Sequence, residues 1–284
     1  MTITQNTSAP LSRVNALAES DRPYRIRAFT RDAKKNSTQE LIKQGVDIVV
    51  VSLVVGNVEL VTNFWEHNDM EREIAEGKMP IDAAKSAGVG RIVWSALVSQ
   101  SNHYRRRTSK SRVPFVEVQA GFYATNFLEN PAILSKQEDG SFAIAWLVKP
   151  TTVMPIIDIT HDYGFYVRRV LELPVFPFGT EVLTCGELIT VKDLALQLVS
   201  LKFFSSADHI PVTGKRVVFK QITIEEMGQK LAALGFPPHI VTDTKDAFAS
   251  IGEFGCDLKS RGPGQSPRTW GEFVKLSDWN KVLV

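Results

Sequence analysis

Apolar and polar positions alternate along this chain in two rhythms that take turns. Over residues 24–30 the period is two: Ile26, Ala28 and Thr30 share one face, and Arg25, Arg27 and Phe29 the other, which predicts a strand. Ahead of it, residues 14–20 read as the last turns of a helix. Behind it, residues 38–44 form a short helix closed by Gly45. Residues 46–53 are an almost unbroken β-branched run, the pattern of a parallel strand buried on both faces. From 68 to 87, Met70, Ile74, Gly77, Ile81, Ala84 and Gly88 recur at steps of three and four, an amphipathic helix that Pro80 should kink. Residues 91–95 and 113–119 are the next strands. Strand and helix alternating in this order predict an α/β fold with a parallel sheet between helices.

Beyond Pro131 the rhythm changes. Residues 142–146 read as a short strand and 159–171 as a helix around Asp162-Tyr163-Gly164. Residues 181–186 are a strand, and Thr190 caps a helix running to Leu198. After a late strand at 217–220, Thr223-Ile224-Glu225-Glu226 is a capping box that opens a helix to Leu234, with Gly235 behind it. Residues 259–268 have a loop composition, and 270–279 predict a terminal helix. The expected division is one cut near 130, with a nucleotide-binding half at 1–130 and a smaller α/β substrate-side lobe at 131–284.

Composition narrows the function. Lys and Arg number 33 against 31 Asp and Glu, a formal charge of +2, which argues against a nucleic-acid binder. The basic run at 103–112 then reads as a solvated loop. No apolar stretch approaches the roughly 18–20 residues of a membrane span. Cys185 and Cys256 are the only cysteines and make no disulfide framework. With no secretory pattern in the first ten residues, the expectation is a reducing, cytoplasmic setting.

Candidate chemistry is sparse. A dinucleotide-binding sheet normally cradles the pyrophosphate in a Gly-rich turn after its first strand, and no G-x-G-x-x-G lies near the start of this chain. Gly88 and Gly90 separate a helix from a following strand, the wrong order for that role. A reductase of the short-chain type places a Lys four residues after an acid Tyr. Here Tyr104, Tyr123 and Tyr163 are followed at that spacing by Thr108, Phe127 and Val167. Asp158, His161 and Asp162 sit at a strand-to-helix junction, where Asp is commonly a cap, so no metal is expected. One positive signal remains. Thr30-Arg31-Asp32 ends the first strand, where an Arg pairs with the 2′-phosphate of NADP, with Lys34 and Lys35 adding charge. A solvated basic turn is the alternative reading of the same residues.

The residues also resemble a known family. Tyr24-Arg25-Ile26-Arg27-Ala28-Phe29-Thr30-Arg31-Asp32, Thr62-Asn63-Phe64-Trp65-Glu66, Ile92-Val93-Trp94-Ser95, Gly121-Phe122-Tyr123-Ala124-Thr125-Asn126-Phe127 and the segment from Asp158 to Gly164 are similar, in order, to NmrA-like proteins. These belong to the atypical short-chain dehydrogenase/reductase superfamily. The resemblance implies a Rossmann-like parallel sheet binding NADP(H). It gives Arg31 and Lys35 the 2′-phosphate, Ser52 and Leu53 the adenine, Thr62, Asn63 and Phe64 the dinucleotide, and Tyr123, Ala124, Thr125 and Asn126 the nicotinamide end. Phe127 reads as core. The chain departs from the family pattern in lacking the N-terminal strand with its Gly-rich turn, in the Arg-rich stretch between Trp94 and Val113, and in extra sequence over 202–211. The expectation is therefore an oxidoreductase-type protein of reduced or no activity, with unassigned catalytic residues and a small-molecule substrate. The alternative is a non-catalytic NADP(H)-responsive redox sensor that binds a protein partner.

Overall fold

Helix α1 (Ala9–Ala18) precedes the first strand, β1 (Arg27–Thr30). Helix α2 (Asn36–Lys43) ends at Gly45, whose φ of +78° a side chain would strain. That turn delivers β2 (Asp47–Val50) parallel to β1, with Thr30 opposite Val50. Strand β1 starts at Arg27 rather than at Tyr24 because its register partner, Asp47, is the first residue of β2. Upstream, Arg25 instead forms an ion pair with Asp47 at 2.9 Å. The computed structural model describes residues 9–30, 34, 36–50, 57–60, 71, 78, 81–96, 112–202, 209–211, 215–239, 241–242 and 266–283. The expected continuation of β2 over 51–53 and the kink at Pro80 lie outside them.

Strand β3 (Asn57–Leu60), a helical stretch at 81–86, and strands β4 (Arg91–Ala96) and β5 (Phe115–Ala120) follow. Pairing runs parallel from β3 to β4 to β5. Strand β5 begins two residues later than the pattern predicts. Pro114 has no N–H for the ladder, and its carbonyl accepts from the Ile92 amide at 2.7 Å. On one face of this sheet Ile92, Trp94 and Phe115 pack with Ile81, Ala84 and Val89; of the helical face read from the sequence, Ile81 and Ala84 are buried, Gly88 is exposed, and Met70, Ile74 and Gly77 lie outside the described residues. All six residues of β5 are buried, the mark of an interior parallel strand.

Next come β6 (Phe122–Tyr123), α3 (Asn126–Glu129), β7 (Leu134–Lys136), β8 (Phe142–Trp146), β9 (Val153–Ile157) and α4 (Tyr163–Glu172). Then follow β10 (Glu181–Thr184), β11 (Glu187–Thr190), α5 (Val191–Val199), β12 (Ser200–Lys202) and β13 (His209–Pro211). Strand β14 (Val217–Gln221) and helices α6 (Ile224–Ala233) and α7 (Trp270–Leu276) complete the series. Strand β10 adds parallel to β5 and completes the sheet order β10-β5-β4-β3, so the architecture is α/β around a parallel sheet.

Two compact units result, and they interleave. One holds Met1–Ala120, Ile159–Thr184 and Asp257–Gly264; the other holds Gly121–Asp158, Cys185–Cys256 and Gln265–Val284. The single cut expected near residue 130 gives way to this pattern for a physical reason: α4 packs on α1, and β10 hydrogen-bonds to β5. Residues 159–184 thereby return to the first unit. The second unit has its own core of Phe127, Trp146, Leu194, Trp270 and their neighbours, with the mixed sheets β11-β9-β6 and β14-β8-β7. Phe127 is core, as its composition suggested, with ring contacts to Phe122, Trp146 and Trp270. Cys185 is buried and disulfide-bonded, which departs from the expectation of reduced thiols. No helix among the described residues is long and apolar enough to cross a membrane.

The caps follow local chemistry. Thr223 accepts from the Glu226 amide at 3.2 Å and Glu226 from the Thr223 amide at 2.7 Å, the reciprocal box the sequence predicts. The terminal helix is shorter than expected. It stops at Leu276 because Ser277 turns extended, and a separate 3-10 turn (Trp279–Lys281) follows under an Asp278 cap. At its start Glu272 accepts from the Thr269 amide and from its hydroxyl, both at 2.8 Å. The backbone bond, then the hydroxyl bond, holds the Glu272 carboxyl below the ordinary range. A carboxyl whose folded pKa is depressed adds stability above its unfolded pKa and loses it as the pH falls through the folded one. Replacing Glu272 by Gln should therefore reduce the fall in Tm between neutral and acid pH. An unchanged acid slope would show that Glu272 does not contribute.

Candidate functional site

In parallel α/β sheets, ligands bind outside the carboxyl ends of the strands. Four of the strand ends carry or precede the polar residues of interest. Thr30 and Val50 are register partners, so β1 and β2 end side by side. Arg31 directly follows Thr30, and Ser52 and Leu53 follow Val50 by two and three residues. Thr62, Asn63 and Phe64 follow the end of β3 in the same way, and Ser95 is the penultimate residue of β4. Arg31, Lys35, Ser52, Leu53, Thr62, Asn63 and Phe64 themselves lie outside the described residues. The strand termini that precede Arg31, Ser52 and Thr62 are described, and all belong to parallel strands.

The other predicted residues belong to the second unit. Tyr123 is half-buried in β6, opposite Ile157 of β9. Ala124 is wholly buried and donates its amide to the Ile157 carbonyl at 2.9 Å. Thr125, also buried, precedes α3, and its carbonyl accepts from the Leu128 and Glu129 amides at 2.9 and 3.1 Å. Asn126 is half-buried, and its carbonyl accepts from the Asn130 amide at 3.0 Å. Backbone pairing thus fixes the segment rigidly, leaving Tyr123 and Asn126 as its partly exposed side chains.

A polar cluster in the first unit escapes sequence reading. Tyr163 opens α4 and is wholly buried, with its phenol oxygen 2.8 Å from Ser95 Oγ and 2.9 Å from the Val118 carbonyl. Ser95 and Val118 are register partners in β4 and β5 and share a face of the sheet. The Arg13 guanidinium, brought by α1, lies 4.8 Å from the centre of the Tyr163 ring. Helix α1 is held to α4 by Arg168, which donates to the Ala16 carbonyl at 2.9 Å, and by Ser20, which donates to Glu172. Tyr24 beside them is pushed above the ordinary phenol range by burial first and by the Glu172 charge second. Spacing searches test Tyr163 only against Val167. Its true partners are 68 and 45 residues away.

Of the junction residues, Asp158 pairs with Arg268, and His161 with Asp162. Asp158 is buried and accepts from Arg268 at 2.6 Å. His161 Nδ1 lies 2.7 Å from the buried Asp162 carboxylate while the imidazole remains half-exposed. No group of three or more metal-ligating side chains occurs among the described residues.

Comparison with known proteins agrees with this picture. The family model for the NmrA-like family matches residues 12–279. The fold is similar to the Citrobacter sp. triphenylmethane reductase complexed with NADP(H), at a TM-score of 0.72 and 17% identity over 94% of this chain and 95% of that one. It is equally similar to an Escherichia coli NADPH-dependent quinone oxidoreductase complexed with NADPH, at 0.72 and 18% identity over 94% and 95%. A third similar structure is NmrA, a negative transcriptional regulator in complex with NAD, at 0.70 and 16% identity over 95% and 91%. Likeness at these identities establishes the fold.

Proposed function

The chain belongs to the NmrA-like family, and on that footing we propose that it binds NADP(H) and turns it over slowly or not at all. In the sequence Arg31 follows Thr30, the end of β1 and the register partner of Val50 at the end of β2; a guanidinium at such a strand end would pair bidentately with a 2′-phosphate, and Lys35 would add a second cation. Ser52 and Leu53 then serve the adenine, Thr62, Asn63 and Phe64 the dinucleotide, and Tyr123, Ala124, Thr125 and Asn126 the nicotinamide end. The bound cofactor would supply hydride. At the pyrophosphate the fit is poorer, because the sequence carries no G-x-G-x-x-G string of the kind whose turn aims backbone amides and a helix N-terminus at the phosphates.

The observation that carries the low turnover is Tyr163. It meets a serine, the contact an acid phenol needs, yet it is sealed from solvent and bound to a backbone carbonyl. No Lys stands one helical turn away to lower its pKa, since Val167 holds that position. Productive transfer also needs a closely held nicotinamide, and a cofactor anchored mainly at its 2′-phosphate leaves that ring loosely placed.

Titration with NADPH and NADH tests the binding. One or two charge-assisted contacts of about 1.5–3 kcal/mol each give at least tenfold preference for NADPH. Arg31→Ala should erase it, and equal affinities in the wild-type chain would reject the role of Arg31. NADPH consumption with quinones and carbonyl compounds should stay near the blank. Robust consumption abolished by substituting Tyr123 or Asn126 would overturn the low turnover.

The same sealed tyrosine favours a second reading, a regulator whose dinucleotide occupancy alters contact with a protein partner. A redox sensor must bind NADPH and NADP+ with different affinities, because a ligand can shift an equilibrium only by its differential binding. Equal affinities for the two would remove the sensor reading while leaving the cofactor site intact.

A further inference from the structure

Cys185 is disulfide-bonded within the chain, and Cys256, which lies outside the described residues, is the only other cysteine of the sequence. The bond therefore closes residues 185–256 into a covalent ring that contains β11 to β14 together with α5 and α6. Cys185 is wholly buried and is held from both sides. Thr184 before it ends β10 opposite Ala120, and Gly186 after it donates its amide to the Ile156 carbonyl at 2.7 Å. Backbone pairing thus sets its place, whether or not the bond is made. A second fastening lies beside the first. Strands β9 and β11 run antiparallel with Ile156 opposite Glu187. Asp158 stands two residues beyond Ile156 and Cys185 two residues before Glu187, so both leave the same end of that pair. The buried Asp158 carboxylate accepts from Arg268 at 2.6 Å. One stretch of chain, 256–268, is therefore tied at its first residue by a covalent bond and at its last by an ion pair, beside the same two strand ends.

We propose that this disulfide is a redox-sensitive latch, opened by a low-molecular-weight thiol at Cys256 and closed again by Cys185, and that it acts together with the Arg268–Asp158 pair on the segment between them. None of these four residues belongs to the cofactor site proposed above. Exchange needs access to the sulfur under attack, and Cys185 is sealed, so the thiol enters at Cys256. The incoming thiolate forms a bond to the Cys256 sulfur and the Cys185–Cys256 bond breaks. The electron pair leaves on Cys185, which takes a proton. A second thiol attacks the adduct, frees Cys256 as a thiol and departs joined to the first as the small disulfide. Two small thiols are oxidised and one protein disulfide is reduced. With the small disulfide in excess the steps reverse: Cys256 takes up the adduct, and Cys185, still held by its neighbours, attacks it and restores the bond. The two fastenings support each other, because each holds the segment close to the partner of the other.

The test places the full chain in buffers of graded reduced-to-oxidised glutathione ratio. Non-reducing peptide mapping of the oxidised protein should find Cys185 and Cys256 in one linked pair. Reduced glutathione added to the folded protein should release both thiols, with the transient adduct on Cys256, and a brief maleimide pulse should then label Cys256 well before Cys185. Reduction should lower the Tm by at least about 5 °C, as loss of a bond closing so long a ring does. Arg268→Met should cost fewer degrees in the reduced protein than in the oxidised one, because the ion pair weakens once the disulfide no longer holds the segment beside it. Cys256→Ser should behave as the reduced wild type does. Two free thiols in the oxidised protein, a bond that survives excess reduced glutathione in the folded state, or an adduct on Cys185 would each overturn the latch. So would an equal cost of Arg268→Met in the two redox states, the result expected of a disulfide that acts apart from the ion pair. The first three are read on the wild-type chain, so the outcome does not depend on either variant folding.

Discussion

Trp270→Ala should lower the stability of the second unit by about 4 kcal/mol, as large aromatic truncations in packed cores do. Trp270 is among the largest wholly enclosed side chains, with 1% of its surface exposed. Its ring centre lies 4.9 Å from Phe127, 5.7 Å from Phe273 and 6.2 Å from Trp279, so it joins α3 to the last helix and the turn beyond it. Its indole N–H also donates to the Leu194 carbonyl at 3.0 Å, which ties α7 to α5. Truncation removes the aromatic contacts and this bond together and opens a cavity that the surrounding rings can fill only by shifting. The Glu187 carboxylate accepts from the Trp270 amide, so that link survives the substitution. At roughly 2–4 °C per kcal/mol, the Tm should fall by about 10 °C, with Trp270→Phe losing less than half of that. A thermal melt within two or three degrees of wild type would show that α7 contributes little to this core.

The second large effect is electrostatic. Arg268 donates to Asp158 at 2.6 Å, and the Asp158 side chain is only 1% exposed while that of Arg268 is 26% exposed. Replacing Arg268 by Met keeps the length of the stem and removes the guanidinium from a carboxylate that water hardly reaches. Loss of one partner of a buried pair costs about 3–5 kcal/mol, and the partial exposure of Arg268 puts this case near the lower figure. Replacing Asp158 by Asn as well removes the charge that needs compensation, so the double variant should recover much of the loss. A urea-denaturation cycle over the four chains measures the coupling directly. Additive losses in the double variant would show that the two groups do not act as a pair. Asp158 opens the segment between β9 and α4, and Arg268 leads into α7.

Much of the fold was legible because it is locally encoded. The short strand read at 142–146 has the same bounds as β8, and Thr223-Ile224-Glu225-Glu226 closes the box its spacing requires. A cap depends on four residues, and a strand on the face its own side chains prefer. Within the β-branched run at 46–53, residues 47–50 form a strand parallel to β1, and the family strings point to the same α/β fold. Where strands begin is another matter. Strand β1 waits for Asp47 and β5 starts only after Pro114, since a ladder needs donors and acceptors from two chain segments.

The candidate site divides along the same line. The sequence alone determined which residues follow the ends of the parallel strands, because order along the chain suffices: Arg31 after Thr30, Ser52 after Val50, Thr62 after Leu60. It also determined that a Gly-rich turn and a Tyr–Lys pair are missing from their usual spacings. Only the tertiary structure decided that Tyr163 meets Ser95 across 68 residues, that Arg268 meets Asp158 across 110, and that residues 159–184 fold back onto the first unit. Periodicity records that a side chain is buried and on which face, but not what it is buried against. Partners are chosen by strand register and helix packing, which bring together residues far apart in the chain.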